Sequence, residues 1–129
     1  MAKKIELKNS DLELDIAGHV FTLNTGDPEL LEKVSNFSEE AQKKAEDIGE
    51  NKDYIKALKE TIQFCLDTID KILGESASKK IFEGKKVNLF DALNIINSIN
   101  IEVKADMDNK FKAYSPNRAQ RRSNKNKKK

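Results

Sequence analysis

The sequence holds one cysteine, one histidine and no tryptophan, with only five glycines and two prolines in 129 residues. Because Cys65 is the only cysteine, an internal disulfide and a cysteine-based metal cage are excluded, which suits a reducing cytosol. The glycines form no phosphate-binding loop, and no serine lies in a nucleophile-elbow pattern. Nucleotide chemistry and serine-based hydrolysis therefore have no recognisable site in this sequence.

Long apolar runs are also missing. The opening segment MAKKIELKNSD lacks the apolar stretch of a signal peptide, and no run approaches the roughly 18 apolar residues of a membrane helix. We therefore expect a soluble, cytoplasmic protein that makes no membrane contact. The length fits a single domain with a core of its own.

Charge is plentiful but unevenly distributed. The 24 basic and 22 acidic residues give a net charge of +2, yet residues 114–129 carry seven of the basic residues and none of the acidic ones. The remaining body has 17 basic and 22 acidic residues, a net charge of −5. An acidic body with a basic tail can favour an acidic partner, bind a neighbouring copy, or keep a small protein soluble.

Residues 11–23, DLELDIAGHVFTL, alternate apolar and polar side chains on both sides of the dipeptide AG. This pattern predicts a β-hairpin with a two-residue turn, in which Leu12 lies opposite Leu23 and Leu14 opposite Phe21. Its apolar face needs a covering layer, since an isolated hairpin is only marginally stable in water. Two more apolar residues alternate with charged neighbours and suggest a third strand: Ile5 and Leu7.

Apolar residues at three- and four-residue steps predict helices after the hairpin. Asp27 can accept a hydrogen bond from a free amide at a helix start, and Pro28 fits the first helical position. The apolar stripe that follows ends at Gly49. A second helix is predicted from about Lys52, with Gly74 as its stop signal.

Two further helices are predicted in the second half of the chain. The segment SASKKIFEG predicts a short helix with Ser76 as its cap, and Asn88, with Asp91 three residues on, predicts the start of a long one. Residues 95–103 are rich in β-branched side chains and could form a strand instead. We favour the helix, because the three- and four-residue spacing continues to Phe111.

These patterns predict a mainly α fold. An N-terminal β-hairpin at about residues 11–23 is followed by a small bundle of three to four helices, all within a domain of residues 1–114. Residues 115–129 are predicted to form a disordered basic tail, because Pro116 disfavours helix before it and the rest is almost purely polar. The predicted core consists of one set of apolar residues: Leu58, Ile62, Leu66, Ile69, Leu93 and Ile96, with Phe21 covering one end.

Residues that could perform catalysis are few, and each has a simpler interpretation. We interpret Cys65 as a small buried apolar residue and His19 as an exposed turn residue rather than as a catalytic pair. Three acidic pairs lie on polar helical faces, where solvated charge is the simpler interpretation: Glu39-Glu40, Glu46-Asp47 and Asp106-Asp108. No catalytic residue, cofactor or metal site is predicted, and we expect the protein not to be an enzyme.

The basic tail favours one alternative, a small nucleic-acid-binding protein. Its arginines and lysines could neutralise phosphates in a salt-sensitive, sequence-independent manner. Tyr114 is the only aromatic residue there, which leaves little for base stacking. We therefore rank this function second.

The phrase YSPNRAQRR, after a helical body of about a hundred residues, resembles the C-terminal ending of small tail assembly chaperones from long-tailed phages and prophages of Gram-positive bacteria. The segment GHVFTLNTGDPELLEKV is similar to the hairpin and first helix of that family. The segment CLDTIDKILGESASKKIFEGKKVNLFDALNIINSI is similar to its central helix, glycine break and final helix. The likeness covers about residues 12–122.

The resemblance implies a protein that coats the tape measure protein, keeps that long helical polypeptide soluble, and helps recruit tail tube subunits. Such a chaperone acts in the host cytoplasm, is absent from the finished virion, and can self-associate into open oligomers. The family often adds a longer product made by ribosomal frameshifting. Adenine-rich codons would encode the segment NKNKKK, so we hypothesise that the messenger RNA is slippery here and allows a frameshift. Stop codons directly downstream in both alternative reading frames would exclude this hypothesis.

Partner contacts are expected from apolar residues at the edges or ends of the helical stripes, together with the arginines of the tail. The candidates are Phe37, Met107, Phe111, Arg118, Arg121 and Arg122.

Overall fold

The computed structural model describes residues 2–6 and 11–114. The elements follow in this order: β1 (Leu12–Ile16), β2 (His19–Leu23), α1 (Pro28–Asp47), a single 3-10 turn (Ile48–Glu50), α2 (Tyr54–Leu73), α3 (Ala77–Ile81) and α4 (Leu89–Tyr114). The predicted mainly α fold, with a hairpin before a small helical bundle, is confirmed. The predicted disorder of residues 115–129 concerns a segment outside the described residues. Within the described ranges, no helix combines the length and apolarity of a membrane crossing.

The hairpin has the predicted register. β1 and β2 pair antiparallel, with Leu12 opposite Leu23 and Leu14 opposite Phe21. The two turn residues both have positive φ, 54° at Ala17 and 86° at Gly18, which identifies a type I′ turn. The third strand suggested around Ile5 is not formed, because residues 2–6 belong to no strand. Leu7 lies outside the described residues.

The helix starts are set by short polar side chains. The Asp27 carboxylate accepts a hydrogen bond from the backbone N–H of Glu29 (3.0 Å), and the Asn88 side chain accepts one from Phe90 (2.7 Å), as predicted. Ser76 occupies the predicted N-cap position of α3, but its side chain makes no capping hydrogen bond.

Asp70 on α2 supplies the missing cap of α3. Its carboxylate accepts a hydrogen bond from the Ser78 N–H at 2.8 Å. This cap crosses from one helix to the next, so the spacing around Ser76 does not reveal it. Gly74 ends α2 as predicted, with a φ of 119° that favours glycine.

α4 is helical throughout residues 95–103, so the strand alternative is wrong there. Its buried positions recur every three or four residues and face α1 and α2. They are Leu89, Ala92, Ile96, Ile99 and Val103.

The core consists of two clusters, and β2, α1, α2 and α4 each contribute residues to both. The first centres on Cys65, Ile69 and Ile96, and the second contains Ile72, Ile99 and Val103 with parts of the hairpin and α1. Of the predicted core, Ile69, Ile96 and Phe21 are buried, whereas four residues are only half-buried: Leu58, Ile62, Leu66 and Leu93.

The buried face of α2 is rotated from the predicted one because two threonines lie within it. Thr61 and Thr68 are both buried. The Thr61 hydroxyl donates to the backbone carbonyl of Ala57 at 2.8 Å, which satisfies its polar atom inside the helix. Ile55, which the pattern assigned to the apolar side, is instead 53% exposed.

A polar cluster fastens α4 to the loop before α1. The buried Thr25 hydroxyl donates to Asp106 Oδ2 (2.6 Å) and accepts from Lys110 Nζ (2.7 Å). Lys110 Nζ and Asp106 Oδ2 are also 2.7 Å apart. Burial alone would raise the pKa of Asp106, but the hydrogen bonds from Lys110 and Thr25 and the Lys110 charge lower it below its usual value. The interpretation of Asp106 as solvated charge is therefore wrong.

We predict that Ala17→Asn stabilises the protein by about 1 kcal/mol, because asparagine tolerates the positive φ that costs alanine energy. Ala17→Val should lower the free energy of unfolding, since a β-branched side chain is strained at this φ. Urea denaturation followed by circular dichroism measures both. Equal stability of the two variants would contradict the turn geometry.

We predict that Asp106→Ala lowers the free energy of unfolding by about 1–2 kcal/mol at pH 7. The folded-state pKa of Asp106 is depressed, so its contribution is present above the unfolded pKa of about 4 and is lost as the pH falls further. The difference between the native protein and this variant should therefore narrow below about pH 4. Asp108→Ala, at an exposed neighbour, is the control. An Asp106 effect that persists unchanged at pH 2 would contradict the ion pair.

Candidate partner-binding surface

The outward face of α4 carries apolar side chains that contact solvent. Phe90, Ile101 and Phe111 are 75%, 55% and 62% exposed. At 3.6 residues per turn, positions 90 and 101 differ by about 20° around the helix axis and positions 90 and 111 by about 60°. The three side chains therefore lie within about 80° of one another along about 30 Å of α4, with exposed polar residues such as Asn97, Lys104 and Asp108 between them. We call the three apolar residues the α4 outer stripe. The sequence pattern predicted partner contact for Phe111, but not for Phe90 or Ile101.

A groove lies beside this stripe, between the hairpin and α4. We call it the β1–α4 groove, and its volume is about 300 Å³. Its floor is apolar, and its polar atoms come mainly from one turn of α4 and from two carboxylates at the rim. The lining residues are Leu14, Asp15, Ile16, Ala17, Asn94, Ile95, Ser98, Ile99 and Glu102.

The groove continues past the hairpin turn toward α3. A second hollow of about 350 Å³ shares Ile16 and Ile95 with it and is lined further by Phe82 of the α3–α4 connection. Lys85 and Lys86 lie at this end, whereas the other end has acidic rim residues. The combined surface can hold several apolar side chains in a row, and its α3 end carries the two lysines together with the carboxylate of Asp91.

A separate aromatic contact joins α1 to α2. The rings of Phe37 and Phe64 meet edge to face, with centroids 6.3 Å apart. Lys71 Nζ lies 5.2 Å from the Phe37 ring centre and Lys44 Nζ lies 5.1 Å from that of Phe64. Both rings therefore already have partners within the chain, and each cation–π contact contributes about 0.5–1 kcal/mol at such a half-exposed site.

The predicted partner-contact residues lie in different parts of the molecule. Phe37 packs in the α1–α2 contact, whereas Phe111 belongs to the α4 outer stripe and Met107 is half-buried one turn before it. The tail arginines fall outside the described residues: Arg118, Arg121 and Arg122. Of the six candidates, Phe111 is the one that belongs to the α4 outer stripe.

Cys65 has none of the properties of a catalytic nucleophile. It is fully buried in the first core cluster, and burial raises the pKa of its thiol to about 11. At neutral pH the sulfur is therefore a protonated thiol rather than a reactive thiolate. His19 lies beside the turn, as predicted, but it is half-buried rather than exposed. Over the described residues, no group of three or more His, Cys, Asp and Glu side chains could hold a metal ion.

The residues that sequence reasoning missed are those that line the groove from α4. Asn94 and Ser98 lie one turn apart and flank Ile95. The sequence contains one weak signal of this second surface: Ile95 and Ile101 do not fit the apolar stripe that contains Ile96. Apolar residues outside the main stripe of a helix indicate that another side of the helix also contacts something apolar. The partner element, β1, cannot be identified from that signal.

We predict that Cys65 reacts with Ellman's reagent at pH 8 at least about 100-fold more slowly than free cysteine, because the pKa rises from 9.0 to about 11 and the sulfur is buried. In guanidinium the rate should equal that of an unfolded cysteine. A single exposed cysteine in a Cys65→Ala background, such as Ser35→Cys, is the control and should react quickly in the native state. Fast native labelling of Cys65 would contradict the packing of the first core cluster.

Comparison with known families gives one match. A search of curated proteins and a search of solved structures each return no match. The model of a family of unknown function, DUF6673, matches residues 17–125, which span β2, the four described α-helices and the α4 side of the β1–α4 groove, whereas β1 lies outside the match. Since this match covers more than half of the chain, the protein belongs to the family DUF6673.

Proposed function

We propose that the protein is a tail assembly chaperone that binds the tape measure protein of a long-tailed phage or prophage and keeps it soluble. In this role it acts in the cytoplasm of the host cell, helps recruit tail tube subunits, and leaves before the virion is complete. The observation that carries the proposal is the α4 outer stripe beside the β1–α4 groove. The resemblance of the ending YSPNRAQRR and of the segments before it supports the same function.

The α4 outer stripe suits a long helical partner. Exposed phenylalanine and isoleucine side chains at helical spacing can pack against the apolar face of an amphipathic helix. The stripe is about 30 Å long, the length of a helix of about 20 residues.

The contacts of a single copy need not be strong. A tape measure protein offers many successive helical segments, so copies that also touch one another bind it with a combined affinity greater than that of one contact. The charged surface of α1 and α2 keeps the coated complex in solution, since net charge opposes association of the coated chains. The apolar stripe and the charged outer faces are thus two requirements of the same task.

Nucleic-acid binding by the basic tail is the second candidate. It is favoured by the seven cations, without any acid, among residues 114–129. The α4 outer stripe has no role in that function. The chaperone proposal therefore predicts that substitutions in the α4 outer stripe reduce partner binding. The nucleic-acid proposal predicts that substitutions in the tail reduce nucleic-acid binding and that those in the stripe do not.

We predict that Ile101→Glu abolishes co-purification with the tape measure protein, whereas Ile55→Glu leaves it intact. Both isoleucines are exposed to nearly the same degree, 55% and 53%, but only Ile101 belongs to the α4 outer stripe. Neither change should alter the free energy of unfolding by more than about 0.5 kcal/mol. The measurement is co-expression with the long helical protein encoded downstream, followed by purification in high salt after nuclease treatment.

Three results would contradict the proposal. The partner could stay insoluble in the presence of the native chain, or the two isoleucine variants could behave alike. Truncation after Ser115 could also abolish binding of the tape measure protein and remove co-purifying nucleic acid at the same time, which would favour the nucleic-acid function.

A further inference from the structure

The outer edge of β1 is not paired with another strand. Within residues 2–6 and 11–114 the sheet consists of β1 and β2 alone. The two-residue turn closes with the hydrogen-bonded pair of Ile16 and His19, and such pairs alternate along the ladder. The backbone N–H and C=O groups of Glu13 and Asp15 are therefore directed away from β2. An edge of this kind can accept another strand through backbone hydrogen bonds.

The β1–α4 groove lies directly beside this edge. Leu14, Ile16 and Ile95 line it and are only half-buried. Successive side chains of a strand point to opposite faces, so alternate side chains of an added strand would enter the groove. The groove therefore fits an extended segment better than a compact ligand.

Pairing of β1 with β1 of a second copy is unfavourable. In an antiparallel pair centred on Leu14, Glu13 would lie opposite the partner's Asp15. A shift of two residues in register would place Glu13 opposite the partner's Glu13, or Asp15 opposite the partner's Asp15. Like charges directly opposite each other destabilise a sheet. The edge instead fits a segment that combines an apolar side chain with basic neighbours.

Residues 2–6 have this chemistry. Lys4 Nζ and Glu6 Oε1 are 3.2 Å apart, and side chains two residues apart share a side in extended backbone rather than in a helix. Ile5 lies between them on the opposite side and is 92% exposed. Lys3 and Lys4 precede it directly and match the acidic rim of the groove, whereas Glu6, which follows it, is already paired with Lys4.

We propose that residues 2–6 of a second copy add to the outer edge of β1 and place Ile5 in the β1–α4 groove. Lys3 and Lys4 then lie near the rim acids Asp15 and Glu102. Ile5 does not occupy its own groove in the described conformation, because almost all of its surface is exposed. This inference goes beyond the proposed function, and its test uses the purified chain alone.

The contact is heterologous, because the donor segment and the acceptor edge are different parts of the chain. Two copies can exchange segments reciprocally, or many copies can join in an open array. Both arrangements bury Ile5 and complete a three-stranded sheet, which is more stable than an isolated hairpin. The acceptor site is therefore complete only when a second copy contributes to it.

The test joins two different single-cysteine variants by a disulfide, both in a Cys65→Ala background. Ser98→Cys, in the groove, is first converted to its mixed disulfide with thionitrobenzoate. It is then mixed with Ile5→Cys, whose thiolate attacks this disulfide, forms the protein–protein disulfide and releases one thionitrobenzoate anion. Each chain carries one cysteine, so only a contact between copies can produce the covalent dimer. Ser35→Cys, activated in the same way on α1, is the matched control.

We expect the Ile5–Ser98 pair to react at least about tenfold faster than the control pair, because docking raises the local concentration of the thiol. Equal rates would overturn the proposal. A double variant that carries both Ile5→Cys and Ser98→Cys in one chain is the second comparison. If it forms an internal disulfide as a monomer while the mixed single variants form no dimer, the segment occupies its own groove and the proposal is overturned. Circular dichroism of each variant verifies that it is folded.

A second measurement does not depend on cysteines. Ile5→Asp should weaken self-association by at least about tenfold in analytical ultracentrifugation, because a charge replaces the apolar side chain in the groove. Val20→Asp is the control, since Val20 is also exposed but lies on β2 and does not line the groove. A native chain that stays monomeric at millimolar concentration, or equal effects of both variants, would overturn the proposal.

Discussion

The fold depends on the burial of one face of α4. Ile96 belongs to the first core cluster, whereas Ile99 and Val103 belong to the second, so α4 contributes to both halves of the core, as α2 does through Ile69 and Ile72. The other elements pack around this helix: α1 and α2 on one side and the hairpin beside them. A core substitution such as Ile99→Ala would therefore leave a cavity in contact with several elements, which is the costliest kind of truncation.

The length of α4 explains why Phe111 remains in solvent, whereas Phe90 and Ile101 are exposed because they lie on the outward face of the helix. α4 has 26 residues, about 39 Å, whereas α1 and α2 have 20 residues, about 30 Å each. The shorter helices cannot cover all of α4. The Thr25, Asp106 and Lys110 cluster fastens its later part to the α1 loop by polar contacts instead of apolar packing. Phe111 extends beyond that cluster and keeps most of its surface in solvent.

Local chemistry was predictable from the sequence, but contacts between distant segments were not. The Asp27 and Asn88 caps, the AG turn and the hairpin register each depend on residues close in the chain, where a few rules decide the conformation. The cap from Asp70 and the pairing of Thr25 with Asp106 join residues 8 and 81 positions apart. Their chemistry is ordinary, but no periodic pattern shows which residues meet.

The same limit applies to the candidate surface. Phe111 was recognised as a residue near the end of an apolar stripe, whereas the β1–α4 groove depends on how the hairpin lies on α4. Burial on α2 was misjudged for a related reason: Thr61 is polar by composition, but its hydroxyl bonds within the helix and its methyl group can be buried. Satisfied polar groups of this kind are invisible to a pattern of apolar residues.

The hairpin connects the stability of the chain to the surface that a partner would use. Two strands alone are marginal in water, so the hairpin stays ordered because its inner face packs on the helices. Leu14 and Ile16 each use one side for that packing and leave the other side facing the β1–α4 groove. Any segment that fills the groove therefore stabilises the hairpin by the free energy of its own binding. Conversely, a looser hairpin weakens the acceptor edge. Binding along β1 and order in residues 11–23 are thus linked by the same contacts.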